Sequence, residues 1–180
     1  FTVFKDGILT LKSIKLTGGD VRVQQPHNYG GAIYSLGNVF TENSIFSNHK
    51  ASYGGAIYLK NGGYATLTRT TIENCQATSH GGAIYPKDEG STMMITRCFL
   101  QNNQAIHGNG GAFSCASSAT CIVTDKSTVQ LNKGMDQMYN AMYCYNSSSC
   151  TVSSDTYEYA CMPGKYGRPL LAFQYGGLNK

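Results

Sequence analysis

Charge is scarce in this chain. Asp, Glu, Lys and Arg together supply 13% of its 180 residues, about half the share of an ordinary globular domain. Gly, Ser, Thr, Asn and Tyr take their place, a mixture that suits turns and strands better than solvated helices. Proline is rare as well, with 4 residues against 21 glycines. No apolar run reaches the roughly 20 residues of a membrane-spanning helix, so no membrane span is expected. No secretory signal opens the sequence, because Phe1-Thr2-Val3-Phe4-Lys5-Asp6 already reads as strand. The chain is therefore expected to be mature, processed or a fragment. No Cys-x-x-Cys pair occurs among the 7 cysteines, which argues against a zinc ribbon. The net charge of +4 is spread along the chain. Nucleic-acid binding needs a concentrated basic face, so no nucleic-acid partner is expected.

Catalytic signatures are missing too. Acid/base glycoside chemistry needs two carboxylates converging on one face. Asp88-Glu89 is the only adjacent carboxylate pair, and it sits in the turn-like stretch Pro86-Lys87-Asp88-Glu89-Gly90. Asp20, Asp125, Asp136 and Asp155 do not recur at one position of the repeat described below. His27, His80 and His107 each lie shortly before a Gly-Gly pair, but Tyr53 takes the equivalent place between them, so a metal site lacks converging ligands. No Gly-x-Ser-x-Gly element supports a serine nucleophile. No catalytic residue, metal or cofactor is expected.

What the chain does contain is a repeat. Gly30-Gly31-Ala32-Ile33-Tyr34 returns as Gly54-Gly55-Ala56-Ile57-Tyr58 and as Gly81-Gly82-Ala83-Ile84-Tyr85. Gly110-Gly111-Ala112-Phe113 is a variant, and Tyr139-Asn140-Ala141-Met142-Tyr143 a decayed copy. Successive spacings are 24, 27, 29 and 29 residues. Upstream of the Gly pairs, Asn48, Asn74 and Asn102 each precede an alanine by three residues and follow an apolar residue (Phe46, Ile72, Leu100) by two. Between these motifs lie alternating runs such as Ala65–Ile72, Met93–Leu100 and Thr120–Thr124, which read as half-buried strands.

Two or three strands in each unit of this length predict one coil of a solenoid. The expected fold is all-β, a right-handed single-stranded parallel β-helix of about six coils. A propeller blade needs a period of about 40 or more, and the leucine-rich signature is absent. The helix is expected over residues 1–162, with 163–180 as a C-terminal cap or intersubunit tail. Ile33, Ile57, Ile84, Phe113 and Met142 should then stack inside the column. Tyr34, Tyr58, Tyr85 and Tyr143, one residue on, should form an outward aromatic stripe. Asn48, Asn74 and Asn102 should stack at a turn with their amides hydrogen-bonded to one another or to turn carbonyls. The Gly pair supplies positive φ or close backbone approach at a corner.

Phe46/Asn48 with Gly54-Gly55-Ala56-Ile57, Ile72/Asn74 with Gly81-Gly82-Ala83-Ile84, and Phe99-Leu100-Gln101-Asn102 with Gly110-Gly111-Ala112 carry a resemblance. Together they are similar to the GGA[ILV] and FxxN repeats in the passenger regions of chlamydial polymorphic membrane proteins. The first match is one residue closer than FxxN, and the likeness covers residues 28 to 145. It implies a surface-exposed, extracellular β-helix with an adhesive or structural role. No autotransporter barrel accompanies it, so membrane anchoring is not implied.

Frequent cysteine without metal spacing suggests an oxidising compartment. Cys115 and Cys121 are six residues apart, as are Cys144 and Cys150, and the two pairs lie 29 residues apart. A disulfide within each coil would staple Cys115 to Cys121 and Cys144 to Cys150. Pairing across coils, Cys115 to Cys144 and Cys121 to Cys150, also fits a coil step of about 4.8 Å. Cys75, Cys98 and Cys161 remain, and an odd total leaves one thiol free or available between chains. Asn146-Ser147-Ser148 is the single glycosylation sequon. The 13 tyrosines suit strand surfaces or contacts with surface proteins and glycans. These features predict a non-catalytic extracellular or cell-surface structural protein that self-associates into a homopolymeric fibre. Leu170, Leu171 and Phe173 of the apolar tail are the candidate assembly residues. The alternatives are an adhesin for a host protein or glycan and, third, a polysaccharide-active β-helix enzyme.

Overall fold

The computed structural model describes residues 1–23, 28–135 and 141–153, and the backbone of Tyr157–Tyr159. Within these residues the chain coils into a parallel β-helix with strands on four faces. Face A stacks β1 (Thr2–Val3), β4 (Ile33–Ser35), β8 (Ile57–Leu59), β12 (Ile84–Pro86), β16 (Phe113–Cys115) and β19 (Met142–Cys144). Face B stacks β2 (Ile8–Lys12), β5 (Asn38–Glu42), β9 (Tyr64–Thr68), β13 (Thr92–Thr96), β17 (Thr120–Thr124) and β20 (Ser149–Val152). Face C stacks β3 (Lys15–Thr17), β6 (Ile45–Ser47), β10 (Thr71–Glu73), β14 (Phe99–Gln101), β18 (Thr128–Gln130) and β21 (Tyr157–Tyr159). The short face D holds β7 (Lys50–Ala51), β11 (Gln76–Ala77) and β15 (Gln104–Ala105). Six rungs are thus joined by about five turns. The outer coils carry three strands each, and the three complete middle coils add a fourth of two residues, one more than the repeat suggested.

Register follows the repeat. Ile33 pairs with Ile57, Ile57 with Ile84, Ile84 with Phe113, and Phe113 with Met142. All five point into one apolar cluster with Val39, Leu67, Ile95 and Val123 from face B and Phe46, Ile72, Leu100 and Val129 from face C. Side chains alternate across a strand, so Tyr34, Tyr58 and Tyr85 leave the column, as expected. Exposure is another matter: Tyr58 is 2% and Tyr85 3% exposed. With Ala116 they form a second small core outside the wall, packed on by Tyr29, Tyr34, Tyr53 and Tyr145. Rings on successive rungs cover one another, with Tyr34 and Tyr58 stacked at 5.7 Å, and Tyr53 of the preceding corner stacks on Tyr85 at 5.5 Å. The outward stripe is thus covered at Tyr58 and Tyr85 and half-covered at Tyr34 and Tyr143.

The two glycines of each pair have separate tasks. Gly54 has φ of +58°, and a Cβ there would run into the Ile57 carbonyl oxygen. Gly55 has no such backbone need, but its Cβ would strike the Gly82 carbonyl oxygen of the next coil. The asparagine expectation is corrected by one residue. Asn48, Asn74 and Asn102 do share a corner, with φ of 59°, 55° and 54°, but they are exposed. The linked amides belong to the following position, which holds His49, Cys75, Asn103 and Asn132. Asn103 Nδ2 donates to the Ile72 carbonyl and to Asn132 Oδ1, both at 3.0 Å. Asn103 Oδ1 accepts from the Cys75 N–H, and Asn132 Nδ2 donates to the Leu100 carbonyl. Asn tolerates the left-handed turn, while the next residue turns inward and satisfies corner backbone.

The tail beyond residue 162, with Leu170, Leu171 and Phe173, lies outside the described residues, as do Cys161, His27, Asp136 and Tyr139.

Candidate functional site

Three places on the column could carry chemistry or contacts. The first is the face of the opening rung. Strands β1, β2 and β3 each have one hydrogen-bonded neighbour, in β4, β5 and β6, and lie at the edges of their sheets. Leu9 and Leu16 point inward but are only partly buried, whereas Val39 and Phe46, their partners on the second rung, are fully buried. Phe4 is 71% and Ile8 69% exposed around the same rung. Among the described residues these strands thus form one edge of three ladders, with Leu9 and Leu16 at that end of the apolar column.

The second place is a shallow groove on face B, lined by Thr10, Lys12, Phe40, Glu42, Thr66 and Arg69. Glu42 is held between Lys12, at 3.5 Å, and Arg69, which also donates to Asn43 Oδ1 at 2.7 Å. Phe40 packs beside Tyr64 and stays 38% exposed. This offers one ring face and one ion-paired carboxylate. Other carboxylates are engaged elsewhere. Asp20 forks with Arg22, whose hydrogen bond holds its carboxyl below the usual range, and Glu73 accepts from Gln101. Asp88 occupies a turn with φ of 74°.

The third place is the stack of four cysteines. Cys115 lies in register with Cys144, and Cys121 with Cys150. Cys144 and Cys150 form a disulfide with Cα atoms 6.4 Å apart. The matching Cys115–Cys121 bridge is not formed: both are fully buried free thiols. Burial pushes the Cys121 thiol well up, and its interaction with Cys115 adds to the shift. The sulfurs of Cys115, Cys144 and Cys150 all lie within 4.8 Å of one another. That spacing suits a metal, but a disulfide leaves Cys144 and Cys150 without the thiolates that bind one. Asn146 is exposed at the turn between Cys144 and Cys150, with φ of 51°, so the sequon is accessible.

The remaining thiols are packing residues. Cys75 and Cys98 point inward at two corners, and burial pushes them up to about 12 and about 11. Cys98 continues a column of small polar side chains, accepting from the Thr70 N–H, while its own N–H donates to Ser127 Oγ. Of the histidines singled out by their place before a Gly pair, His80 packs on Tyr85 and Tyr145 and His107 is exposed. Sequence reasoning missed His49. It is 3% exposed and its Nδ1 accepts the Gly19 N–H at 3.1 Å. Burial lowers its basicity, and a hydrogen bond with the Leu16 backbone opposes this in part. Its position directly after Asn48 was the available signal, because the same place holds Cys75 and Asn103 in the next coils.

Among described residues, no helix is long and apolar enough to cross a membrane. A stretch of 99 residues, 55% of the chain, is 30% identical to metabotropic glutamate receptor-like protein R of Dictyostelium discoideum. The aligned stretch spans only 6% of that protein's length. No solved structure matches the chain. The model of the right-handed β-helix region matches residues 6–169, and with the parallel rungs already described the chain belongs to the right-handed β-helix family.

Proposed function

We propose that this chain is a non-catalytic extracellular structural protein whose parallel column is extended end to end into a fibre. The observation that carries the reading is the column itself, whose rungs stack in register around one apolar core. A further rung laid on Leu9 and Leu16, from this chain or from another copy, would continue three parallel ladders and that core. Each large apolar side chain fully buried there adds about 1.5–3 kcal/mol. A head-to-tail contact of this kind does not close on itself and grows as a filament. The disulfide and the exposed sequon support an extracellular setting, and the likeness of the repeat to chlamydial passenger regions supports a surface role.

The test compares the full chain with a Phe4→Glu, Ile8→Lys variant by negative-stain microscopy and sedimentation. Both positions are exposed, so the variant should keep its circular dichroism. Filaments for the parent and monomers for the variant are expected. A parent that stays monomeric at every concentration rejects the fibre. The second reading, an adhesin, rests on the face B groove with Phe40 beside an ion-paired Glu42, and on the similarity to a receptor-like protein. It predicts glycan or surface-protein binding that Phe40→Ala removes. The non-catalytic reading predicts a blank glycosidase and polysaccharide-lyase screen. Turnover abolished by one Asp or Glu substitution would overturn it.

A further inference from the structure

We propose that Cys115, Cys121, Cys144 and Cys150 form a thiol–disulfide exchange site, in which the partly exposed Cys144–Cys150 bridge passes its oxidation inward to the buried Cys115–Cys121 pair. Three observations lead there. Cys115 and Cys121 are both fully buried, so no external oxidant reaches them in the folded column. Cys144 and Cys150 are only partly buried, so their bridge meets solvent. Parallel register pairs Cys115 with Cys144 and Cys121 with Cys150, the Cys115 sulfur lies within 4.8 Å of both sulfurs of the bridge, and the Cys121 thiol is hydrogen-bonded with Cys115.

The exchange has two steps. Sulfur of Cys115 attacks sulfur of Cys144. A Cys115–Cys144 bond forms across the coils, the Cys144–Cys150 bond breaks, and Cys150 leaves as a thiolate that takes up the proton lost by Cys115. Cys121 then attacks Cys115. The Cys115–Cys121 bond forms, the cross-coil bond breaks, and Cys144 departs and takes the proton of Cys121. One disulfide and two thiols enter and leave, so no electrons are gained or lost. The outward dithiol at Cys144 and Cys150 is then reoxidised by an external disulfide, either a small molecule or one on another protein. Exchange proceeds through the thiolate, and burial, which raises the Cys121 thiol well above its usual value, slows the second step.

The folded, fully reduced chain is exposed to oxidised glutathione, quenched with an alkylating agent at intervals and mapped by non-reducing mass spectrometry. Cys144–Cys150 should appear first and Cys115–Cys121 later. In Cys144→Ser, Cys150→Ser the inner bridge should form roughly tenfold or more slowly, because its route inward is gone. An unchanged rate overturns the proposal. Cys121→Ser, Cys150→Ser leaves, of the four, only the partners of the intermediate and should accumulate a Cys115–Cys144 bridge; its absence overturns the proposal as well. Should the first variant fail to fold, this trapping variant decides alone.

Discussion

Ile57 and Tyr58 are neighbours in β8 and both almost fully covered, but by different surroundings. Ile57 meets the apolar interior from every side, and Ile57→Asp would bury an unpaired charge at a cost of several kcal/mol. Tyr58 lies among other rings, and burial raises its phenol well above the usual range. Tyr58→Phe should be nearly neutral. Tyr58→Ala should approach the roughly 3–5 kcal/mol of a buried aromatic lost to a cavity. Urea denaturation of the three variants checks this order, and a neutral Tyr58→Ala would show the outer spine to be unimportant. His49 gives a pH signature. Its folded-state basicity is lowered by burial, so the unfolded chain takes up the proton more readily. Its contribution to stability is complete above the unfolded value of about 6.5 and falls as pH drops through it towards the lower folded value. His80 is lowered for the same reason and adds in the same direction. His49→Asn, the residue found at this place two coils later, should therefore flatten part of the decline in unfolding free energy between pH 8 and pH 5. Identical slopes in parent and variant would exclude His49 as a source.

At the scale of an element, each corner combines one residue held in the left-handed region with one turned inward to bond the backbone. Asn102 and Asn103 separate these tasks. Asn103→Ala would strand the Cys75 N–H and remove one of the two donors to Asn132 Oδ1, which keeps the Asn103 backbone N–H. A buried polar group left without a partner costs about 1–3 kcal/mol. Asn102→Ala disturbs only an exposed side chain with positive φ, at about 1 kcal/mol. Thermal melts should rank Asn103→Ala well below Asn102→Ala, and the opposite ranking would return the structural amide to the exposed position. Glycine shows the same division. Gly18 also has positive φ, but a Cβ there meets nothing within 4 Å, so Gly18→Ala should be far milder than Gly54→Ala.

For the whole molecule, stability is a sum of coil and interface contributions along one axis. Strands β8, β12, β9, β13, β10 and β14 have neighbours on both sides, whereas β1, β2 and β3 have one. Hydrogen exchange should therefore be slower in the third and fourth rungs than in the first. If fibres form through the first rung, its protection should rise on polymerisation while the middle rungs stay unchanged. Equal protection of the first rung at low and high concentration would deny it an assembly role.

Much of this architecture is written in the local repeat. A recurring Gly-Gly-Ala-Ile at 24 to 29 residues determines coil length, the inward isoleucine ladder and the corner glycines, because each needs only strand alternation and the conformational freedom of glycine. The period likewise placed Cys115 and Cys121 beside Cys144 and Cys150. What depends on the neighbouring coil could not be read along one chain segment. Tyr58 and Tyr85 are outward by alternation, yet whether they meet water depends on rings brought in from Tyr53 and Tyr145. Two asparagines stand side by side at 102 and 103, and only the carbonyls of adjacent coils decide that Asn103 carries the bonds. His49 shares the repeat position of Cys75 and Asn103, but its burial depends on the neighbouring coil closing over that corner. Equal Cys spacing cannot distinguish a closed bridge from a pair of thiols, because the depth of each rung within the stack sets which sulfurs reach solvent. Sequence alone determined the coil and its inside. Tertiary stacking decided what lies covered on the outside, since that cover is supplied by residues one coil away.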